Sequence, residues 1–372
     1  MKTSKKSIFQ KFLNIVERLG NILPHPVTLF AILCALVLLG SQVADWIGLE
    51  VMDPRPEGAK GRSDSGVISA VGLLSAEGIR RIFTGLVKNY TNFAPLGTVL
   101  VTMLAVGVAE YSGMLTAFIR GLVLKAPTRL ITFTVVFAGI LSNTASELGY
   151  VVLIPLGGYI FMSKGRHPIA GMAAAFAGVS GGYSANLFIG TIDPLLSGIT
   201  QEAAQLIASD YTTHAAINWY FMMISSVLIS IIGTYVTEKV VEPNLGEYDS
   251  GFSQNIDAKN AMAPLTETEK KGLLYAGITI FAIAIIAALT IVPEWGILRD
   301  PKTGSALKSP FMKGVVTWIF IFFMIPSIVY GKVTGRIKTD KDVIDGMTHA
   351  MREMGMYMVL VFFAAQFLSL IH

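Results

Sequence analysis

Two clusters of oxygen-bearing residues interrupt the apolar stretches of this 372-residue sequence, and both are equipped for ion or anion binding. The first is Ser142-Asn143-Thr144-Ala145-Ser146-Glu147, with Gly149 and Tyr150 following. Hydroxyls, an amide and a carboxylate, gathered with unwound backbone carbonyls, make a hard-oxygen environment suited to a small cation such as sodium. A turn capped by Ser and Thr at an aqueous boundary would use the same hydroxyls, but it needs neither Asn nor Glu. The second cluster runs from Gly181-Gly182 through Ser184 and Asn186 to Gly190-Thr191-Ile192-Asp193-Pro194. Pro194 lacks a backbone N–H, so a helix reaching it would free the Gly190 carbonyl, and a break over 190–193 would expose backbone groups for coordination. Asp193 is the foremost functional candidate, because an Asp at the centre of a membrane helix costs about 2.5 to 3.5 kcal/mol and needs a reason to be there. An interfacial carboxylate where the helix leaves the bilayer is its bland alternative. Asn186, seven residues earlier on the same helical face, offers either a ligand contact or an interhelical hydrogen bond. A cation is accordingly expected at Ser142, Asn143, Ser146, Glu147, Gly190 and Asp193, and an anionic substrate at Asn143, Thr144, Ser184, Asn186 and Asp193.

A third pattern points to another class of protein. Gly178-Val179-Ser180-Gly181-Gly182 is a G-x-S-x-G sequence, which an intramembrane serine hydrolase would place in such a helix. That chemistry needs a base. His25 and His167 precede prolines at expected helix starts, His214 and His349 are expected in loops, and His372 is the last residue. The run of small residues from Gly171 to Gly182 reads more simply as a close-packing surface, and the expectation is no enzyme. No phosphate loop, zinc helix or calcium loop occurs, no cofactor is implied, and one cysteine, Cys34, cannot build a disulfide or a thiolate cluster.

These clusters need elements that hold polar groups inside apolar surroundings. Hydrophobic residues make up 53% of the chain and charged ones 15%, against about 25% in soluble proteins. The mean hydropathy is +0.60. Apolar runs open near Val27 and continue over 94–112, 130–141, 148–162, 168–190, 217–237, 272–292, 314–331 and 356–372. The expected class is all-α, a polytopic helical membrane protein. Two runs are too short to cross alone, and they predict a re-entrant hairpin over 130–162 with the first cluster at its tip. A broken helix follows over 168–198. Residues 1–25 place Phe9, Phe12, Leu13, Val16 and Leu19 at helical spacing behind a basic start, which predicts an amphipathic surface helix rather than a cleaved signal. The remainder, 26–372, is one transmembrane domain. With the N-terminus in the cytoplasm, 19 of the 29 Lys and Arg residues fall on inside loops, in keeping with the positive-inside rule. The net charge of +4 thus reflects basic loops, not a nucleic-acid surface. The last run opens at Met356 and has no closing loop, so the architecture reads as an inverted repeat whose second half is incomplete.

Several stretches resemble the AbgT family of bacterial p-aminobenzoyl-glutamate transporters. They are Val16 to Pro26, Asn92 to Gly97, Gly165-Arg-His-Pro168, Asn186 to Ser197, Asn218-Trp-Tyr-Phe-Met222, Gly296 to Pro301 and Met351-Arg-Glu-Met354. The resemblance implies a dimeric inner-membrane secondary transporter of the ion-transporter superfamily, with two re-entrant hairpins and two broken helices. Its implied cargo is p-aminobenzoyl-glutamate, or in some members an exported sulfonamide antimetabolite. By this likeness Ser142 to Glu147 matches the first hairpin tip and Asn186 to Asp193 the first broken helix. Relatives often carry Asp where Glu147 stands. The second hairpin and broken helix have no counterpart among these residues, which alone are expected not to transport. Energetics favour coupling, since a dianion entering a cell against 100 mV is opposed by about 4.6 kcal/mol, which two co-transported cations cancel. An oxygen-rich cluster suits sodium and a carboxylate withdrawn from water at Asp193 suits a proton. A passive channel, with no gradient coupling, is the remaining reading.

Overall fold

The computed structural model describes residues 24–55, 62–143, 149–183, 185–190, 192–205, 207–208, 210–248, 264–306 and 309–371. The expected surface helix over 1–25 therefore lies outside the described residues, apart from Pro24 and His25. The described chain is helical save for one short antiparallel hairpin, β1 (Glu50–Met52) with β2 (Val67–Ser69), in register Val51 to Ile68.

Helix starts follow from local sequence. His25 precedes Pro26, and its ring nitrogen accepts the Val27 N–H at the head of α1 (Pro26–Ile47), where Pro at the first position forfeits no bond. Gly48 closes that helix in the left-handed conformation, φ 68°. Next come α2 (Ala76–Thr91), α3 (Ala94–Tyr111) and α4 (Met114–Leu124). The hairpin region holds α5 (Ile131–Ser142) and α6 (Ile154–Ser163), the latter preceded by a π turn over Gly149–Leu153. His167 then repeats the His-Pro cap at the head of α7 (Pro168–Phe176), which ends in a second π turn, Ala177–Gly181. After the break are α8 (Ile192–Gln205), α9 (Trp219–Val236) with a π turn over Thr237–Val241, and α10 (Glu242–Leu245). Thr266 and Glu269 form a reciprocal capping box at the start of α11 (Glu267–Ile291). The remaining helices are α12 (Pro310–Lys313), α13 (Val315–Thr334), α14 (Asp340–Glu353) and α15 (Gly355–Ile371).

Five stretches among the described residues are long and apolar enough to cross a bilayer: Pro26–Ile47, Ala76–Tyr111, Trp219–Leu245, Glu267–Ile291 and Val315–Thr334. A further pair, Met114–Leu124 with Thr128–Ser142, qualifies only if taken together, and it bends by 113°. The apolar runs thus find their helices, but stretches between them that read as loops are helical as well, α4 (Met114–Leu124) and α12 (Pro310–Lys313) among them. Residues 49–93 contain α2 and residues 332–353 contain α14. Both are amphipathic, so their charged faces hide them from a search for continuous apolar runs. His349 accordingly sits on α14, within 3.4 Å of Glu353, and not in a loop.

The chain divides into two compact units, one of residues 1–96, 203–211 and 354–372, the other of 97–202 and 212–353. In the first, α15 packs on α1 and α2. In the second, α11 packs on α13, and α5, α6 and α7 share a buried core of Val135, Val136, Leu153, Phe161, Ala174 and Val179.

Candidate functional site

The expected hairpin consists of two helices of 12 and 10 residues, each well under the roughly 20 that a span needs. The chain leaves α5 at Ser142 and is back beside it by Gly149, so close that a β-carbon on Gly149 would overlap the Ser142 hydroxyl. Both arms rest on α7 and its π turn through glycines. A β-carbon at Gly139 would lie 2.8 Å from the Val179 nitrogen, and one at Gly178 2.3 Å from the Val136 carbonyl oxygen. On the other arm, a β-carbon at Gly157 would lie 2.6 Å from the Gly171 carbonyl oxygen. The small-residue run is therefore a packing surface for the hairpin.

The break differs from expectation. The helix stops at Gly181 and resumes at Ile192, so the interruption begins well before Gly190 and ends before Pro194. Pro194 lies in the first turn of α8, where a missing N–H breaks no helical bond, and it does not cause the break. Asn186 lies in the interrupted stretch, so the shared helical face assumed for Asn186 and Asp193 does not exist; Asn186 is nonetheless buried.

Unwound backbone inside a membrane protein must find partners, and here side chains supply them. The Asn143 amide donates to the carbonyls of Val179 at 3.0 Å and Gly182 at 3.3 Å, joining the hairpin tip to the end of α7. The Trp219 indole N–H, from the head of α9, donates to the Leu187 carbonyl at 2.9 Å. Asp193 reaches back and accepts the Gly190 N–H on Oδ2 at 2.6 Å. A carboxylate in the first turn of α8 also complements the helix dipole.

Of the expected site residues, Ser142 and Asn143 are buried at the tip, and Ser142 donates to the Gly139 carbonyl at 2.6 Å. Asp193 pairs with Gly190 across the far end of the break. Thr144, Ser146, Glu147 and Ser184 lie outside the described residues. Ser180 bonds the Tyr150 hydroxyl at 2.9 Å, so one π turn touches the other, and its partner is a phenol, not a histidine.

Two features escaped the sequence reading. Trp219 is one; an indole at the head of an apolar run is an ordinary interfacial anchor, and nothing local marks it as a partner for Leu187. The other is a polar clamp at the open end of the hairpin. Arg166 forks onto Glu242 at 2.8 and 2.6 Å and donates to the Thr132 hydroxyl at 2.9 Å, which in turn donates to Glu238 at 2.7 Å. The guanidinium also lies 4.1 Å from the Phe161 ring centre. Among the described residues no cluster of three or more His, Cys, Asp or Glu could hold a metal ion.

Apolar helices in this number, a helical hairpin too short to cross and a helix interrupted beside its tip define a multi-pass membrane transporter. The chain belongs to the AbgT putative transporter family, whose sequence model matches residues 11–372. It is 36% identical over 355 residues to the p-aminobenzoyl-glutamate transport protein of Escherichia coli K12, covering 95% of this chain and 67% of that protein. Among solved structures, Neisseria gonorrhoeae MtrF, described with a class of antimetabolite efflux pumps, matches with a TM-score of 0.91 and 55% identity. That match covers 96% of this chain and 71% of MtrF. The Alcanivorax borkumensis YdaH transporter matches with a TM-score of 0.83 and 39% identity, over 93% of this chain and 70% of YdaH. The chain thus spans about two thirds of these relatives' length. The family is one of transporters, so the hydrolase reading of Ser180 falls.

Proposed function

We propose that the protein is a secondary active transporter of p-aminobenzoyl-glutamate or a related aminobenzoyl anion across the bacterial inner membrane, coupled to a sodium or proton gradient. Ser142, Asn143 and the hairpin-tip residues Thr144, Ser146 and Glu147 take one side of the site; Ser184, Asn186, Gly190 and Asp193 take the other. The observation that carries this reading is the bond from the Asn143 amide to the Val179 carbonyl in the π turn and the Gly182 carbonyl just past its end, with Asp193 at the far end of the same break. Oxygen donors concentrated where a helix is interrupted are how transporters hold a coupling ion beside an anionic substrate. The same reading includes a homodimer with a cytoplasmic N-terminus.

Export of sulfonamide antimetabolites is the second reading, supported by the 55% identity to MtrF. The test is flux of labelled p-aminobenzoyl-glutamate, and separately of a sulfonamide, in proteoliposomes holding the full gene product, with sodium and proton gradients imposed one at a time. Gradient-driven accumulation that Asp193→Asn reduces to the level of empty liposomes is expected. Parental rates in Asp193→Asn would refute the coupling role, and flux indifferent to both gradients would indicate a channel.

A further inference from the structure

Within the unit that contains α1, α2 and α15 there is a cavity of about 190 Å³. Its wall is apolar, formed mainly by Cys34, Leu73, Ile82, Phe362, Phe363 and Leu370. The polar groups that reach it are already engaged. Asn89 donates to the Gln366 carbonyl oxygen at 3.0 Å, and the Gln366 amide donates to the Leu86 carbonyl at 2.8 Å. An occupant therefore meets no unmet hydrogen-bond demand inside, which suits hydrocarbon and not a sugar or nucleotide. The volume equals that of about six waters at about 30 Å³ each, room for a segment of one chain and not for a bulky ring system.

The rim carries the opposite chemistry. Arg81 lines the cavity from α2, and its guanidinium donates to the Ser369 carbonyl at 3.1 Å. No carboxylate among the described residues forms an ion pair with it. A planar cation with spare donors beside an apolar slot is complementary to an amphiphile with an anionic oxygen headgroup. The outer face of the same helix exposes Ile79, Phe83 and Val87 at helical spacing, with Phe83 83% exposed. Such a face, with Arg80, Arg81 and Lys88 on the same helix, belongs at the boundary between headgroups and acyl chains.

We infer that this cavity seats one acyl chain of an anionic phospholipid whose phosphate is held by Arg81. Cys34, the single cysteine of these 372 residues, lines the slot and reports on its occupancy. Delipidated full gene product is alkylated with a maleimide, and the rate at Cys34 is read by mass spectrometry of its peptide. Phosphatidylglycerol, phosphatidylcholine with the same chains, or inorganic phosphate is added in separate arms. Phosphatidylglycerol is expected to slow the reaction about fivefold more than phosphatidylcholine, the factor one Arg contributes toward an anionic lipid surface. Free phosphate is expected to leave the rate unchanged. Arg81→Gln should bring phosphatidylglycerol down to the phosphatidylcholine level, and Arg81→Lys should keep most of the difference. Equal protection of the wild-type protein by the two lipids would overturn the headgroup assignment. Protection by phosphate alone would mean a free-anion site, and a Cys34 rate that neither lipid changes would mean that no acyl chain enters the slot. Either result overturns the proposal.

Discussion

Gly178→Ala probes how the hairpin is fastened to the broken helix. A β-carbon there would stand 2.3 Å from the Val136 carbonyl oxygen and 3.0 Å from the Val136 Cα. Unstrained contact begins near 3.5 Å, so α5 must withdraw by about 1 Å. The obstacle is backbone, which cannot swing aside as a side chain would. The same withdrawal stretches both Asn143 bonds, now 3.0 and 3.3 Å, past useful length. Overpacking costs about 1 to 3 kcal/mol and each lost bond about 1, giving a destabilisation of about 3 to 5 kcal/mol. The control is Gly181→Ala, three residues along the same π turn, where a β-carbon meets nothing within 4 Å. Alanine there is expected to be neutral or to stabilise by up to about 1 kcal/mol. Unfolding in mixed micelles, titrated with dodecyl sulfate and followed by circular dichroism, compares the two. If Gly178→Ala unfolds within about 0.5 kcal/mol of Gly181→Ala, glycine-mediated approach does not hold the hairpin, and the packing argument fails.

A double-mutant cycle over Arg166→Gln and Glu242→Gln is expected to show a coupling of about 1 kcal/mol that shrinks as salt rises, because the pair is bidentate but partly exposed. No measurable coupling at low salt would dismiss the clamp as ornament. On the β1–β2 loop, the Arg55 guanidinium holds the Asp53 carboxyl down to about 2. A depressed folded pKa means that this carboxylate's contribution is complete above about pH 4, its unfolded value, and is lost as pH falls through about 2. In Arg55→Gln the folded and unfolded values converge near about 4 and this pH-dependent contribution disappears, so cutting by pepsin pulses between residues 50 and 69 should be raised at about pH 4 and change less between about pH 4 and 2 than in the parent; an unchanged profile would refute the pairing.

Much of this architecture was legible because its signals are local. A His-Pro pair states a helix start, and two short apolar runs state two helices each too short to span alone. What was not legible depended on distance. Proline is the visible breaker, so Pro194 points to a break over 190–193, yet the chain unwinds at Gly182, whose carbonyl takes a hydrogen bond from the Asn143 amide 39 positions back. A freed carbonyl is stable only where some remote donor reaches it, and the sequence does not say which donor that is. Likewise α2 and α14 satisfy an amphipathic period that a count of consecutive apolar residues ignores. The Arg166 clamp draws its carboxylates from 72 and 76 positions downstream, beyond any motif.

The hairpin is pinned at both extremities, by Asn143 at its tip and by the Arg166 clamp at its root, and glycine contacts seat its arms along the length between. A beam clamped at each end and bedded along its span has few soft modes of its own. The described residues between Gly181 and Ile192 are held instead by side chains from elsewhere in the fold, the amide of Asn143, the indole of Trp219 and the carboxylate of Asp193. The residue proposed to sense the coupling ion is thus also one of three side chains, with Asn143 and Trp219, that bond the interrupted backbone. Loss of charge at Asp193 would weaken its bond to the Gly190 N–H, so under the proposed role ion binding and backbone anchoring meet at one carboxylate.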